Sequence, residues 1–302
     1  MAARLDAQES IFFERELEHV KSRTYDVQYP ELRARSFIPV DHSVPAAAES
    51  YVYQTYDSVG MAKVISNYAS DLPRADVTGK EHSARVKTLG SSYGYNLYEI
   101  KAAQQTGKPL QQRRANAARR AIHEKEDELA AVGDAQHNLQ GLLNHPNIPQ
   151  YTARDGGAGT EWETKDPDEI LDEMHAFVQN VLTLTKSVEK PDTLVLPPSV
   201  YGYIATKRLP DTPTTILKQF QSTNPWVKTV DEWQRLESAG VGGTKRAMVY
   251  KRSPDKLEFV IPAEFTMEPP HPTNLSFDVA CHSRIGGVAV YYPLSLAFMD
   301  GI

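Results

Sequence analysis

Residues 93–144 read YGYNLYEIKAAQQTGKPLQQRRANAARRAIHEKEDELAAVGDAQHNLQGLLN, and this stretch decides the fold. Asn96 and Glu99 have the spacing of a capping box, in which two side chains satisfy the free amides at the start of a helix. The pattern predicts a short helix from Leu97 to Gln105, and Gly107 provides its left-handed end.

A second helix follows almost at once. Pro109 sets φ for its first turn, and residues 110–132 contain neither proline nor glycine before Gly133, which suits a left-handed C-cap. At about 1.5 Å per residue, the predicted helix over residues 109–132 is a rod of roughly 35 Å. We call it the spine helix.

Small apolar residues recur along the spine helix and predict the face that packs on the rest of the protein. Charged side chains, Glu126 among them, are expected on the other faces. Alanine on the packing face lets a sheet or a helix approach closely. The predicted packing residues are Leu110, Ala117, Ala118, Ala121, Ile122 and Leu129, with Val132 continuing the stripe.

Short motifs surround this rod in a distinctive order. Upstream and downstream motifs are Tyr29-Pro30, Ile38-Pro39-Val40, Gly60-Met61-Ala62, Tyr93-Gly94-Tyr95, Gly107-Lys108-Pro109-Leu110, Gly141-Leu142-Leu143-Asn144, Leu194-Val195-Leu196-Pro197-Pro198 and Arg284-Ile285-Gly286-Gly287-Val288. In this order they resemble the major capsid proteins of tailed bacteriophages with the HK97 fold, in the branch without a long N-terminal scaffolding segment. The resemblance extends over nearly the whole chain.

The resemblance implies an α+β fold with a discontinuous peripheral domain. It divides the chain into an N-terminal arm (1–50), an extended β-hairpin loop with its flanks (51–92), a peripheral domain with the spine helix (93–168), an axial domain (169–262) and return strands of the peripheral domain (263–302).

The N-terminal segment has a helical apolar stripe between Ala2 and Lys21, followed by prolines at positions 30, 39 and 45. The resemblance assigns it as an arm that lies across neighbouring subunits. A helix that packs on its own domain explains the same stripe, and the sequence does not choose between the two.

A long hairpin is predicted between Met61 and Ser91, with strands at Met61–Tyr68 and Ser83–Ser91 and a polar turn at Asp71–His82. An isolated hairpin is marginally stable in water, so we expect this one to dock on another subunit, as the resemblance implies. The alternative is an ordinary solvated hairpin. The predicted interface residues are Asp71, Arg74, Asp76, Lys80, Glu81, Arg85 and Lys87.

The remaining sequence predicts a mixed domain and a C-terminal sheet. Asp166-Pro167 opens an amphipathic helix, and apolar strands such as Thr193–Leu196 and Leu257–Ile261 follow it. Three C-terminal strands, Leu275–Ser283, Gly287–Tyr291 and Leu296–Met299, are expected to form a sheet beneath the spine helix.

Composition excludes several classes of protein. The net charge of −6 and pI near 5.9 argue against nonspecific binding of nucleic acid, which rests on clustered Lys and Arg. The single cysteine, Cys281, excludes an intrachain disulfide and suits a reducing cytoplasm. We expect no membrane span and no signal peptide.

Catalytic and metal-binding patterns are weak, so we predict no catalytic residue, no cofactor and no metal. The histidines lack the helical i, i+4 pairing beside a glutamate that zinc hydrolases use. Cys281 and His282 point to opposite faces of a strand. Ser199 and Ser283 lack the flanking glycines of a nucleophile elbow, and the glycines at 156, 157 and 159 complete no phosphate-binding loop.

One covalent hypothesis comes from the resemblance alone, since some relatives link a hairpin lysine to an asparagine of a neighbour. Lys80 and Lys87 are the candidate donors here, and Asn274 is the candidate acceptor. The reaction also requires a desolvated carboxylate to take the proton.

The expected function is therefore structural. The resemblance implies hexamers and pentamers that assemble in the host cytoplasm into an icosahedral or prolate phage head, part of the virion, enclosing double-stranded DNA without sequence-specific binding. Scaffold, portal and decoration proteins are further candidate partners. The first alternative is a nanocompartment shell that packages a protein cargo, and the second is a cytosolic hydrolase with an unrecognised site.

Overall fold

The structure is a computed structural model that describes residues 30–59, 75–106, 110–157, 159–210 and 212–302. The chain divides into two units, and the architecture below is that of the larger one, Leu32–Ile302. The predicted N-terminal helix and the predicted strand Met61–Tyr68 lie outside the described residues.

The helices around residues 97–131 and the helix that opens at Pro167 lie where the local signals predict them. Asn96 N donates to Glu99 Oε2 at 3.0 Å, so the capping box forms, and Gly133 ends the spine helix at φ 73°. The helices are α1 (Ala34–Phe37), α2 (Leu97–Thr106), α3 (Leu110–Ala131), α4 (Pro167–Leu184), α5 (Pro198–Thr206) and α6 (Ile216–Thr223), where α3 is the spine helix.

Strands make up most of the remaining regular structure. They are β1 (Val40–Asp41), β2 (Ser50–Val59), β3 (Asp76–Arg85), β4 (Lys87–Asn96), β5 (Gly133–Asp134), β6 (Leu139–Gln140), β7 (Gln150–Thr152), β8 (Thr193–Leu196), β9 (Thr229–Glu232), β10 (Arg246–Tyr250), β11 (Leu257–Val260), β12 (Ala263–Met267), β13 (His271–Thr273), β14 (Ser276–Ile285), β15 (Gly287–Val290) and β16 (Leu296–Asp300).

A five-stranded sheet, in the order β7-β16-β10-β8-β9, forms the centre of the larger unit. One apolar cluster joins this sheet to α4, α5 and α6 through side chains such as Phe177 and Phe220. A second cluster contains Trp233 and Tyr250 together with Leu129 of the spine helix. Apolar side chains therefore cover both faces of the sheet.

The position of β16 corrects a prediction. This strand was expected in the sheet beneath the spine helix, but Phe298 pairs with Met248 of β10, in the five-stranded sheet. Residues 296–299 are all buried, as in a central strand with both faces covered. The predicted strand Gly287–Tyr291 was expected in the same sheet, but it forms β15, which pairs with β11 in a three-stranded sheet with β1. This pairing joins the two sides of the predicted boundary at residue 262, because Val260 lies opposite Gly287.

The sheet beneath the spine helix is built on β14, which pairs with β4 over ten positions and also with β12 and β13. Ala118 and Ile122 pack there on Val279 and Cys281, which confirms the predicted contact. Leu129 is also buried, in the cluster nearer the five-stranded sheet.

The prediction that Ala117 and Ala121 belong to the packing face is wrong. Ala117 and Ala121 are exposed, because each lies one residue, or about 100° of helix rotation, from the buried positions 118 and 122. Val132 is also exposed, and the side chain of Leu110 lies outside the description. Glu126, expected on a solvated face, is buried.

Candidate assembly surface

The hairpin consists of β2 and β3, which pair antiparallel over ten positions from Ser50↔Arg85 to Val59↔Asp76. Residues 76–82, predicted as a turn, are thus part of a strand. The partner is Ser50–Val59, which the sequence did not single out. Among the described residues neither strand bonds to a third strand, and every residue of β3 except Ala84 is exposed.

The predicted charged residues divide between the two faces of this hairpin. Asp76 and Lys80 lie on one face, since residues two apart share a face, and Glu81 and Arg85 lie on the other. All four are exposed. Asp71 and Arg74 lie outside the described residues.

Lys87 belongs elsewhere. It is the first residue of β4, pairs with Ile285 and is half-buried in the sheet beneath the spine helix. The predicted strand Ser83–Ser91 is broken at Val86, which is 5% exposed and separates the hairpin from that sheet. Lys87 is therefore not a hairpin residue.

An exposed apolar patch covers one face of the hairpin. Val52, Tyr56 and Val77 are 51%, 67% and 60% exposed, and the strand register places all three on the same face. A Cβ on Gly79 would lie 3.1 Å from the Tyr56 ring, so the ring lies directly over this glycine. We call these three side chains the hairpin patch. Val52 and Tyr56 lie an even number of residues apart within 50–59 and so share a strand face, and this was the signal that sequence reasoning missed.

The opposite face of the hairpin base is fixed to the rest of the subunit. The Tyr51 hydroxyl donates to the Gly286 carbonyl oxygen at 3.3 Å, and the Tyr53 ring lies edge-on to Tyr291, 4.9 Å between centroids. Burial and a 2.7 Å hydrogen bond to Glu258 raise the pKa of the Tyr291 hydroxyl. The base is therefore anchored by neutral phenols, while the patch faces outward.

The residues of the cross-linking hypothesis are separate within one subunit. Lys80 is exposed on β3, and Asn274 lies at φ 57° in the exposed turn between β13 and β14. No described hydrogen bond or ion pair joins Asn274 to Lys80 or Lys87. A bond between them would require a second subunit.

Candidate chemical groups have ordinary structural partners in the described part of the chain. Cys281 is buried against the spine helix, and burial raises the pKa of its thiol. The Ser199 hydroxyl donates to Glu237 rather than to a histidine. Within the described ranges, no cluster of three or more His, Cys, Asp or Glu could hold a metal ion. No helix in those ranges has the length and apolarity needed to cross a membrane.

Comparison with known proteins gives one family match. A family model described as Major capsid protein matches residues 60–302, which includes the spine helix and everything after it. No curated protein matches the chain.

Several solved structures share the fold. The capsid of Myoviridae phage XM1 has a TM-score of 0.83 at 21% identity, covering 98% of this chain and 100% of that one. The capsid of an empty GTA particle has a TM-score of 0.69 at 9% identity, with 95% and 96% covered. A virus-like particle from Pyrococcus furiosus has a TM-score of 0.57 at 12% identity, with 88% and 91% covered.

Proposed function

Because the chain belongs to the major capsid protein family and has an α+β fold of the HK97 type, we propose that it self-assembles into a tailed-phage head that encloses double-stranded DNA. The observation that carries the proposal beyond the family is the hairpin. It is a ten-pair ribbon with one anchored end, and the three side chains of its apolar patch are exposed.

Burial of the hairpin patch on a neighbouring subunit would provide free energy for association. Fully burying an apolar side chain is worth about 1.5–3 kcal/mol, and Val52, Tyr56 and Val77 each have at least half of their surface left to bury. A hairpin that covers its patch on a neighbour makes a heterologous contact, and such contacts close into rings when the rotation between subunits permits. Rings of five and six subunits are the proposed units of the shell.

Charged side chains beside the patch are proposed to set register. Glu81 and Arg85 share the face of the patch and are exposed, so they can pair with opposite charges on a neighbour. Exposed pairs contribute little affinity, but they disfavour wrong alignments. The axial assignment of residues 169–262 around the ring centres, and the arm assignment of residues 1–50, belong to the same proposal.

The proposed shell contains DNA rather than gripping it. With a net charge of −6, the chain has no excess of cations to neutralise phosphates, so packaging would rely on other components of the phage. Scaffold, portal and decoration proteins are proposed partners of this kind. The proposed location is the virion, after assembly in the host cytoplasm.

A nanocompartment shell that packages protein cargo is the second candidate. The structural likeness to a virus-like particle favours it, although the TM-score of 0.57 is lower than the 0.83 for the phage capsid. A hydrolase has no supporting observation among the described residues, and we do not propose it.

Electron microscopy of the purified protein tests assembly. We expect rings or closed shells, and a monodisperse monomer at all concentrations and salt conditions would refute self-assembly. Particles recovered from phage-producing cells separate the two candidates: nuclease-protected DNA supports the phage head, whereas a protein cargo without DNA supports the nanocompartment.

A further inference from the structure

Residues Leu32–Ile38 pass between the spine helix and one face of the five-stranded sheet, and we call this segment the strap. Phe37 and Ile38 are 3% and 0% exposed, and the Phe37 ring lies 5.4 Å from the ring of Trp233. The Tyr250 hydroxyl donates to the Phe37 carbonyl oxygen at 2.8 Å. The strap is therefore held in the core, on the sheet side, by apolar burial and one buried hydrogen bond.

Polar contacts attach the first half of the strap to both neighbours. Arg33 Nη2 lies 2.6 Å from Asp231 Oδ2, and Arg33 Nη1 donates to the Glu232 carbonyl oxygen, both at the end of β9. The next residue contacts the spine helix, because Ala34 N donates to Asp127 Oδ1 at 2.9 Å. Two adjacent strap residues thus bridge the sheet and the helix.

Arg35 connects the spine helix to the sheet beneath it, the one that contains β12, and balances a buried charge. Its guanidinium lies 2.7 Å from Glu126 of the spine helix and 2.9 Å from Glu264 of β12. Glu126 is 1% exposed, and His123 Nδ1 lies 2.9 Å from the same Oε2 atom. Its other oxygen, Oε1, has no hydrogen-bond partner among the described residues. Among the described residues, Arg35 is therefore the only permanent cation in an ion pair with this carboxylate.

Asp127, the next residue of the spine helix, is a second buried carboxylate whose partners lie outside the helix. It is 5% exposed and also accepts a hydrogen bond from Arg235 Nε at 3.1 Å, in the segment that follows β9. Two consecutive buried carboxylates of the spine helix thus depend on partners from the strap and from the sheet region. Removing one partner of a buried ion pair is strongly destabilising, because the other charge stays buried without compensation.

We propose that the strap is a conformational device that holds the spine helix and the five-stranded sheet in one relative orientation. Apart from the strap, the described contacts between them include an apolar cluster and the Arg235–Asp127 ion pair. The cluster is non-directional and tolerates small rotations, whereas the strap adds further directional hydrogen bonds and ion pairs. Releasing the strap allows a second orientation. This inference rests on the proposed shell function, in which identical subunits must fit rings of five and of six.

The strap also connects the N-terminal segment to the two elements whose relative orientation it is proposed to fix. Residues 1–31 join the strap directly along the chain, so a partner that binds this segment acts on the strap first. A second copy of this chain is the partner that the proposed assembly supplies. Subunit orientation would then depend on whether a neighbour binds the segment.

The test uses the full chain as dissociated subunits, with spin labels at Ala117→Cys on the spine helix and Val188→Cys beyond α4. Both positions are exposed, and Cys281 is buried. Pulsed electron resonance then reports the distance distribution between helix and sheet region. We expect one narrow distribution for the otherwise unchanged protein and a broad or two-peaked distribution for Arg35→Met.

Arg120→Met is the matched control. Arg120 and Arg35 side chains are both 35% exposed and both donate to a glutamate, but the side chain of Glu124 is 46% exposed whereas that of Glu126 is 2% exposed. We expect the control to keep the narrow distribution. We also expect Arg35→Met/Glu126→Gln to recover it in large part, because the uncompensated charge is gone.

Amide hydrogen exchange provides a second readout if Arg35→Met folds poorly. Arg33→Gln removes only the Asp231 and Glu232 contacts, and it should accelerate exchange of the strap amides by roughly tenfold while core strands stay protected. An unchanged distance distribution in Arg35→Met, or no rescue by the double substitution, would overturn the strap proposal. Because these measurements use unassembled subunits, they stand independently of whether shells form.

Discussion

Substitutions at two adjacent alanines of the spine helix give the sharpest test of its packing face. Ala118 is 5% exposed and lies with Ile122 against Val279 and Cys281, whereas Ala117 is exposed to solvent. Both residues are alanine in the same helix turn, so helix propensity changes equally when each is replaced. Only the surroundings of the new side chain differ.

The expected magnitudes follow from those surroundings. Ala118→Leu adds three carbon atoms to a close helix–sheet contact and should cost about 1–3 kcal/mol of unfolding free energy. Ala118→Asp should cost more, about 3 kcal/mol or above, because a carboxylate replaces a methyl group among apolar side chains. The same substitutions at Ala117 should stay within about 0.5 kcal/mol.

Denaturant and thermal unfolding of dissociated subunits measure these differences. A loss of 3 kcal/mol corresponds to a fall in Tm of roughly 5 °C or more for a chain of this size. Equal destabilisation by Ala117→Asp and Ala118→Asp would refute the assigned face, and so would a near-normal Tm for Ala118→Asp.

Replacing the hairpin patch (Val52, Tyr56 and Val77) with serine should leave the subunit folded but abolish or weaken assembly, which sedimentation and circular dichroism report together. The Arg114 guanidinium holds the pKa of Glu99 at about 2. This ion pair should therefore stabilise α2 fully above the ordinary glutamate pKa, and the stabilisation should be lost as the pH falls through about 2. Amide exchange of α2 measures the loss, and Glu99→Gln should remove this pH dependence. Removal of metals with EDTA should change neither unfolding nor assembly.

A specific result would contradict each of these predictions. Conservative changes on the other hairpin face, Thr55→Ser and Thr78→Ser, serve as controls, and shells of normal yield from the patch variant would exclude its role. An unchanged pH profile in Glu99→Gln would show that another group controls α2. Loss of shells in EDTA, reversed by one particular metal, would reveal a metal site.

The spine helix was predictable because its signals are local. Gly133 ends it as expected, and the same kind of local signal, the capping box at Asn96 and Glu99, starts the preceding helix α2. The packing face was only partly predictable, since adjacent alanines fit a stripe equally well and one residue of error rotates it by about 100°. Burial of Ala118 rather than Ala117 depends on β14, about 160 residues later.

Long-range pairing explains the other errors. The hairpin and the charged residues of β3 were expected. The strand that pairs with β3, Ser50–Val59, was not predicted, because it depends on the register between two distant segments. The hairpin patch was missed for the same reason. Glu126 was assigned to solvent because carboxylates usually lie there, and its burial is only understandable once Arg35, 91 residues earlier, is seen beside it.

The placement of β16 has a consequence for biosynthesis. This strand, residues 296–300, lies between β7 and β10, whose residues leave the ribosome well before it does. Until it arrives, β7 has no neighbouring strand in this sheet, β10 lacks one of its two partners, and the core is incomplete. We therefore expect chains that terminate before residue 296 to be degraded rather than incorporated, so that the fold itself selects finished subunits before they polymerise.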